Sequence, residues 1–281
     1  MRRGRHSARR SGVGKNIVIV IMIIVFLGGL FYALYPVMTG VALMHESQKV
    51  VDNFIHTLPA NLPSPTFAPT AEVDEAIEGQ PIETPYPELL AAMQAYNKQI
   101  YAEGQSGLVD AWAYTEPSFN LTEYGIEDDV IGVLSIPAIN LEMPIYLGAT
   151  YDHMTKGAAH LSQTSLPIGG ENTNCVIAGH RGWNGAPFFL NLDKIVVGDE
   201  ITVTNLWETL TYRVCEIRVI EPNDIDAVLI QPGRDMLTLI TCHPYASGGR
   251  YRLVVYCERV SNFQTEGITI IDAVTSEEGN E

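Results

Sequence analysis

Cys242 lies at the end of a predicted β-strand, residues 236–241, a run of apolar residues and threonines. The two-residue period of a strand puts Met236, Thr238 and Ile240 on the same face as Cys242. Residues 243–249 then break the strand, because Pro244 lacks an N–H group and glycines follow it. A thiol beside such a loop can be exposed and act as a nucleophile, whereas a buried thiol is inert. From this stretch alone, a structural cysteine is the expected interpretation and a reactive one the alternative.

A histidine occupies a similar position elsewhere in the chain. Residues 174–179 form another predicted strand, and His180 follows it between Gly179 and Gly182, which leave room around the imidazole. A cysteine and a histidine at two strand ends are the two halves of an activated thiol. As a thiolate, Cys242 would attack a peptide carbonyl and form a thioacyl-enzyme. His180 would pair with the thiolate or protonate the leaving amine.

Arg252 provides a cation on the predicted strand 250–258, which follows the glycine-rich loop. Arg252 on this strand would hold the substrate carbonyl or the oxyanion with its fixed donors. Arg250, on the same strand face, is the alternative. His160 is an alternative base, but the glycine-flanked His180 fits that role better. We expect no cofactor and no metal, since the histidines lack the spacing of zinc sites.

The charge of the chain is unevenly distributed. Its 281 residues include 33 acidic and 17 basic ones, which gives a formal net charge of −16. No acidic residue precedes Glu46, whereas six basic residues do: Arg2, Arg3, Arg5, Arg9, Arg10 and Lys15. The remainder is therefore strongly acidic. Nucleic acid is not an expected partner, because its recognition requires a basic face.

Residues 17–35 carry no charge and are almost wholly apolar, and the uncharged run continues to Met44. About 20 such residues cross the ~30 Å hydrocarbon core of a membrane as a helix. The alternative, a cleaved signal peptide, predicts an apolar region of only ~7–15 residues and a small-residue cleavage site. We favour an uncleaved single-pass anchor in the cell membrane. The basic N-terminus then stays in the cytoplasm and the remainder is extracytoplasmic.

Prolines and acidic residues interrupt residues 57–87, which predicts a spacer between the membrane and a folded domain. Residues 88–103 have apolar residues at helical spacing. The domain boundaries that we expect are a cytoplasmic basic tail (1–16), a transmembrane anchor (17–39), a stalk (40–87) whose residues 45–54 extend the anchor helix, a flanking helix and lid (88–129), a catalytic domain (130–260) and an acidic tail (261–281).

Short strands separated by turn residues dominate the chain from residue 130 onward. We predict strands at 130–136, 141–146, 174–179, 200–205, 208–219, 236–241 and 251–259, and a short helix at 151–159. Many short strands with few helices indicate a mainly β fold, either a barrel or a sandwich.

Several spaced motifs make residues 130–260 resemble the sortases, membrane-anchored cysteine transpeptidases of Gram-positive bacteria, and class C, the pilin-polymerising type, above all. They are Thr-Leu-Ile-Thr-Cys at 238–242, Ala-Gly-His-Arg-Gly at 178–182, Gly-Ala-Ala-His at 157–160, Leu-Asp-Lys at 192–194 and Arg-Leu-Val-Val at 252–255. The resemblance implies a closed β-barrel with Cys242, His180 and Arg252 at one end. It also implies cleavage of an LPxTG-like sorting signal of surface or pilin proteins, and transfer to an amine of a pilin lysine or a cell-wall peptide.

Class C sortases carry a lid whose Asp-Pro-aromatic motif covers the catalytic cysteine. Asp110 and Trp112 match that motif, but Ala111 stands where the family has proline, which would have fixed the backbone of the lid. The resemblance therefore implies a substrate gate at Asp110 and Trp112. A loop with a packed tryptophan is the alternative.

The three other cysteines, Cys175, Cys215 and Cys257, lie within predicted strands among apolar neighbours. We expect them to be buried and Cys242 to be free, with a disulfide among the three as the alternative. Two further functions stay open for the chain as a whole. One is a hydrolytic cysteine endopeptidase, and the other is a non-catalytic surface module on a stalk.

Overall fold

Eight strands form a closed barrel in the computed structural model, which describes residues 12–59, 84–108 and 116–260. Around the barrel the strand order is β1-β2-β3-β4-β7-β8-β6-β5. The predicted fold, a mainly β closed barrel with few helices, is confirmed. The strands are β1 (Val130–Ile136), β2 (Leu141–Leu147), β3 (Ala158–His160), β4 (Thr173–Ala178), β5 (Glu200–Thr204), β6 (Thr209–Ile220), β7 (Asp235–His243) and β8 (Tyr251–Arg259). The α-helices are α1 (Gly12–Thr57), α2 (Pro87–Ala102) and α3 (Tyr151–Lys156).

Three neighbouring strands bring the two predicted reactive ends together. β4 runs parallel to β7, with Ala178 opposite Ile240, so the residues after both strands emerge at the same end of the barrel. β8 runs antiparallel to β7, and in that pairing Cys242 faces Arg252 directly. The strand order therefore places Cys242 between the end of β4 and the start of β8.

The same strands sort their side chains alternately into two apolar clusters. Leu237 and Leu239 of β7 belong to the larger cluster, while Met236 and Ile240 belong to a second one that also contains Leu108, Ala178 and Val254. This is the two-residue period that the sequence predicted for β7. Cys242 continues the face of Met236 and Ile240, and Arg252 continues the face of Val254.

The N-terminal helix α1 has two parts with different surroundings. From Asn16 onward it is long and apolar enough to cross a membrane, and its apolar side chains stay exposed as far as Val41. Further along, Val51 and Phe54 are buried in the main apolar cluster, and Gln48 Nε2 donates to Glu142 Oε2 of β2 at 3.3 Å. The helix continues to Thr57, so the first part of the predicted stalk is helical and packed on the barrel. The rest of that segment, residues 60–83, lies outside the described residues.

One predicted helix is shorter in the structure. The predicted helix at 151–159 ends at Lys156, and Ala158–His160 form strand β3 between β2 and β4. The separation falls at Gly157, where a Cβ would lie 2.9 Å from the carbonyl oxygen of Pro144. Such a close approach of two backbones requires glycine. Helical propensity is overridden here because Ala158–His160 pair with strands on both sides.

Candidate active site

Cys242 lies where β7 gives way to the glycine-rich loop, and its side chain is half-buried. A Cβ on Gly249 would stand 3.5 Å from Cys242 Sγ and 3.0 Å from Arg252 Nη1. The thiol and the guanidinium therefore border the same small space. Gly249 has a φ of +80°, and its carbonyl accepts a 2.6 Å hydrogen bond from Arg252 Nη1. The loop thus helps to hold the arginine beside the thiol.

His180 is joined to the end of β7 through the residue before it. The Gly179 N–H donates to Ile240 O at 3.1 Å, and Thr241 Oγ1 donates to Gly179 O at 2.8 Å. Only glycine fits at this position, since a Cβ would lie 2.6 Å from the Phe189 ring. The two bonds fix the backbone of Gly179, one residue before His180, against Ile240 and Thr241, the two residues before Cys242.

The His180 ring is stacked on the indole of Trp183, with centroids 4.6 Å apart and an angle of 14° between the planes. Tyr151 in turn meets Trp183 edge-on at 6.0 Å. His180 Nε2 is buried and has no hydrogen-bond partner among the described residues. Desolvation lowers the pKa of His180 below its ordinary value and favours the neutral imidazole.

Arg181 is a positioning residue that the sequence analysis did not single out. Its buried guanidinium forms an ion pair with Asp193 at 2.5 Å. Nη1 also donates to His243 Nδ1 at 2.7 Å and to Cys242 O at 3.4 Å. Arg181 therefore ties the histidine loop to the residue that carries the thiol. Its place directly after His180 was the available signal, but only the fold reveals its partners.

The remaining cysteines are all free thiols, so no disulfide bridges them. Cys175 and Cys257 are buried as predicted, and burial raises the pKa of both thiols. Cys215 is half-buried, which corrects the expectation that it is buried. The register of β6 against β8 shifts between Val214 and Glu216, so Cys215 is the extra residue of a bulge. Desolvation raises the pKa of Cys215 as well, although Arg234 donates to its sulfur.

The alternatives to the predicted site residues lie elsewhere. Arg250 is exposed and precedes β8, whereas Arg252 lies within it, opposite Cys242. His160 is fully buried, its Nε2 lies 3.0 Å from Ser165 O, and desolvation lowers its pKa to about 4. It is thus a packed, neutral histidine with no route to substrate. Asp110 and Trp112, the predicted lid, lie outside the described residues.

Comparisons with known proteins find sortases that are similar to this chain. The family model of the sortase domain matches residues 134–260. Sortase C2 of pilus island 1 of group B Streptococcus is 35% identical, with a TM-score of 0.57 over 64% of this chain and 99% of that one. A lid mutant of Streptococcus agalactiae sortase C1 is 33% identical, with a TM-score of 0.55 over 62% of this chain and 88% of that one.

A curated relative extends the comparison. Sortase D of Bacillus subtilis is 29% identical over 132 residues, which cover 46% of this chain. The matched part spans 64% of the length of that relative.

The stacking of Trp183 on His180 predicts a measurable titration. We expect Trp183→Ala to raise the pKa of the His180 ring toward its ordinary value, because the ring then gains contact with water. NMR of the imidazole protons against pH measures the change, with Trp207→Ala as the control that leaves the His180 titration unaltered. An unchanged pKa in Trp183→Ala would show that the indole does not desolvate the ring.

Proposed function

Because this chain belongs to the sortase family, we propose that it is a cysteine transpeptidase in which Cys242 is the nucleophile, His180 the acid–base group and Arg252 the carbonyl-binding group. The observation that carries the proposal is the shared end of β4, β7 and β8, where the thiol and the Arg252 guanidinium border one space and Gly179, the residue before His180, is bonded to β7. These are the three groups that thioester chemistry on a peptide requires.

In the first half-reaction the Cys242 sulfur forms a bond to the carbonyl carbon of the scissile peptide. His180, whose neutral form is favoured, accepts the thiol proton and passes it to the nitrogen of the leaving amine as the C–N bond breaks. Arg252 donates hydrogen bonds to the carbonyl oxygen as negative charge develops there. The products are a thioacyl-enzyme and a free amine.

In the second half-reaction an incoming amine attacks the thioester carbon. His180 takes a proton from that amine and returns it to the Cys242 sulfur as the C–S bond breaks, which restores the free enzyme. The acceptor that we propose is the amine of a pilin lysine or of a cell-wall peptide. Water in the same role would make the protein a hydrolytic endopeptidase.

The substrate class that we propose is a surface or pilin protein with an LPxTG-like sorting signal. Two facts support it, namely that the chain belongs to the sortase family and that one similar structure is a sortase of a pilus island.

For the cellular location we propose a single-pass membrane protein with its catalytic domain outside the cytoplasm. A polypeptide exported through the membrane then meets the enzyme on the outer side. The long apolar part of α1 and the six basic residues before it support this orientation.

We also propose that Asp110 and Trp112 form a lid over Cys242, as the lid mutant of the S. agalactiae sortase suggests for its relatives. The flanking described residues support this position. Leu108 packs in the apolar cluster on the face that ends at Cys242. Glu116 O accepts a 2.5 Å hydrogen bond from Ser162 Oγ, next to Leu161 of the same cluster. Both ends of the segment 109–115 are thus held against that face.

The nucleophile is tested by alkylation at neutral pH. We expect Cys242 to react before Cys175, Cys215 and Cys257, whose thiol pKa values are raised by desolvation. Peptide mass mapping measures the order of labelling. Cys242→Ala should abolish cleavage of an LPxTG-type peptide and leave the melting temperature nearly unchanged, with Cys215→Ala as the active control. First labelling at Cys215 or Cys257, or cleavage by Cys242→Ala, would refute the assignment.

The same peptide separates the alternative functions. Ligation to an added amine indicates transpeptidation, whereas a free acid as the sole product in the presence of amine indicates an endopeptidase. Peptide binding without any cleavage by the unmodified protein would indicate a non-catalytic module.

The lid is tested by the alkylation rate of Cys242. We expect Asp110→Ala and Trp112→Ala, alone or together, to raise this rate, because a lid lowers access by the fraction of time it is closed. The free energy of unfolding should change by no more than about 1 kcal/mol, as is usual for surface-loop substitutions. Trp207→Ala serves as the control. Alkylation as slow as in the parent would mean that the segment is a packed loop.

A further inference from the structure

The membrane helix α1 touches the loop that carries the catalytic histidine. Trp183 and Ala186 exchange two backbone hydrogen bonds, of 2.9 and 2.8 Å, and form a tight turn with Asn184 and Gly185 at its tip. Thr39 Oγ1 of α1 donates to Asn184 O at 2.8 Å. The tip of the turn therefore rests directly on the helix.

Two glycines make this contact a meeting of backbones. A Cβ on Gly40 would lie 2.3 Å from the carbonyl carbon of Gly185, and a Cβ on Gly185 would lie 1.8 Å from the carbonyl oxygen of Pro36. Gly185 has a φ of +84°, which also favours glycine. By contrast, Gly28 and Gly29 of the same helix have nothing within 4 Å of a Cβ. The close approach is thus confined to the end of the exposed apolar run.

The position of the contact along α1 corresponds to the edge of a bilayer. The apolar run begins after Asn16, and about 20 residues at 1.5 Å per residue span the ~30 Å hydrocarbon core. A span that starts at Ile17 therefore leaves the core near Pro36. The turn meets the helix between Pro36 and Gly40, which is the level of the lipid headgroups.

Aromatic side chains surround this point. Trp183 is partly exposed and lies between His180 and Tyr151, which is 56% exposed. Tryptophan and tyrosine prefer the boundary between lipid and water, because they combine an apolar ring with a polar group. The chain is acidic, with a net charge of −16, so aromatic contact rather than attraction to anionic lipids is the appropriate interaction.

We propose that the turn 183–186, with Trp183 and Tyr151, is a membrane-docking surface that holds the catalytic end of the barrel against the headgroups of the bilayer. This proposal rests on the proposed anchoring of α1. A peptide bond beside His180 is then cleaved within a few residues of the lipid surface. The Gly40–Gly185 contact fixes the distance between the active site and the membrane.

Fluorescence quenching by brominated lipid tests the docking. The full chain with Trp112→Phe and Trp207→Phe retains Trp183 alone and is reconstituted in phosphatidylcholine vesicles, brominated high on the acyl chain or unbrominated. We expect the brominated lipid to quench Trp183. The matched protein retains Trp207 alone, through Trp112→Phe and Trp183→Phe, and should keep its fluorescence. Trp207 is the neighbour of Leu206, which lines a cavity together with Phe54 and Thr57 of α1. Thr57 lies about 25 Å further along the helix than Gly40, so Trp207 is expected to lie far from the lipid.

A pair of glycine variants tests the contact itself. Gly40→Leu, which collides with Gly185, should reduce the quenching of Trp183, whereas Gly29→Leu, which meets nothing, should leave it unchanged. As a second readout, a polarity-sensitive fluorophore on Asn184→Cys in the Cys242→Ala background should report a lipid environment. This readout keeps the proposal testable if a tryptophan variant fails to fold.

The outcomes separate the two proposals. Protein that does not float with the vesicles would overturn the anchoring, and the docking with it. Protein that floats but shows equal quenching of Trp183 and Trp207, or a water-exposed label at position 184, would overturn the docking alone. Equal quenching in Gly40→Leu and Gly29→Leu would overturn the role of the glycine contact.

Discussion

The hydrogen bond from Thr241 Oγ1 to Gly179 O joins the ends of two parallel strands, and the candidate site depends on it. Parallel strands pair along their length, but their ends are free to separate where the chain turns away. Here the Thr241 hydroxyl and the Gly179 N–H close the end of the pair. Arg181, the residue after His180, adds a hydrogen bond to Cys242 O. The backbones that carry the thiol and the imidazole are thereby fixed relative to each other.

Burial then determines which histidines and cysteines are accessible for chemistry. His153 uses both ring nitrogens, toward Gly148 O at 2.9 Å and Asp129 at 3.2 Å, and His160 is wholly enclosed. Only part of the His180 ring is shielded, by Trp183, and its Nε2 keeps no partner among the described residues. His160 Nδ1 likewise has no partner among the described residues. Of these three histidines, His180 is the one whose ring is partly exposed, and it lies beside the end of β7. Burial also divides the cysteines. Cys175 and Cys257 are enclosed, whereas Cys242 is half-buried and borders the glycine-rich loop.

The sequence predicted the parts of this arrangement that depend on local pattern. The strand ends at Cys242 and beside His180 could be predicted from the alternation in β7, from the proline and glycines after it, and from the glycines around His180. The sequence did not predict the features that depend on contacts between segments far apart in the chain. The bulge at Cys215 depends on pairing with β8, the break at Gly157 on Pro144, and the partners of Arg181 on the approach of β7. The docking of α1 on Gly185 is of the same kind.

Two threonines of β7 allow the most direct test of the account. Thr238 and Thr241 are both buried. The Thr238 hydroxyl donates to Asn174 Oδ1 of β4 at 2.7 Å, and the Thr241 hydroxyl donates to the carbonyl oxygen of Gly179, which follows β4. Replacing either by valine should lower the free energy of unfolding by about 1–3 kcal/mol, since a buried acceptor loses its partner. The measurement is kcat/KM for transfer of an LPxTG-type peptide to an amine. We predict a large loss of kcat/KM in Thr241→Val and near-parent activity in Thr238→Val. Equal activities in the two variants would contradict the dependence of the site on the Thr241–Gly179 hydrogen bond.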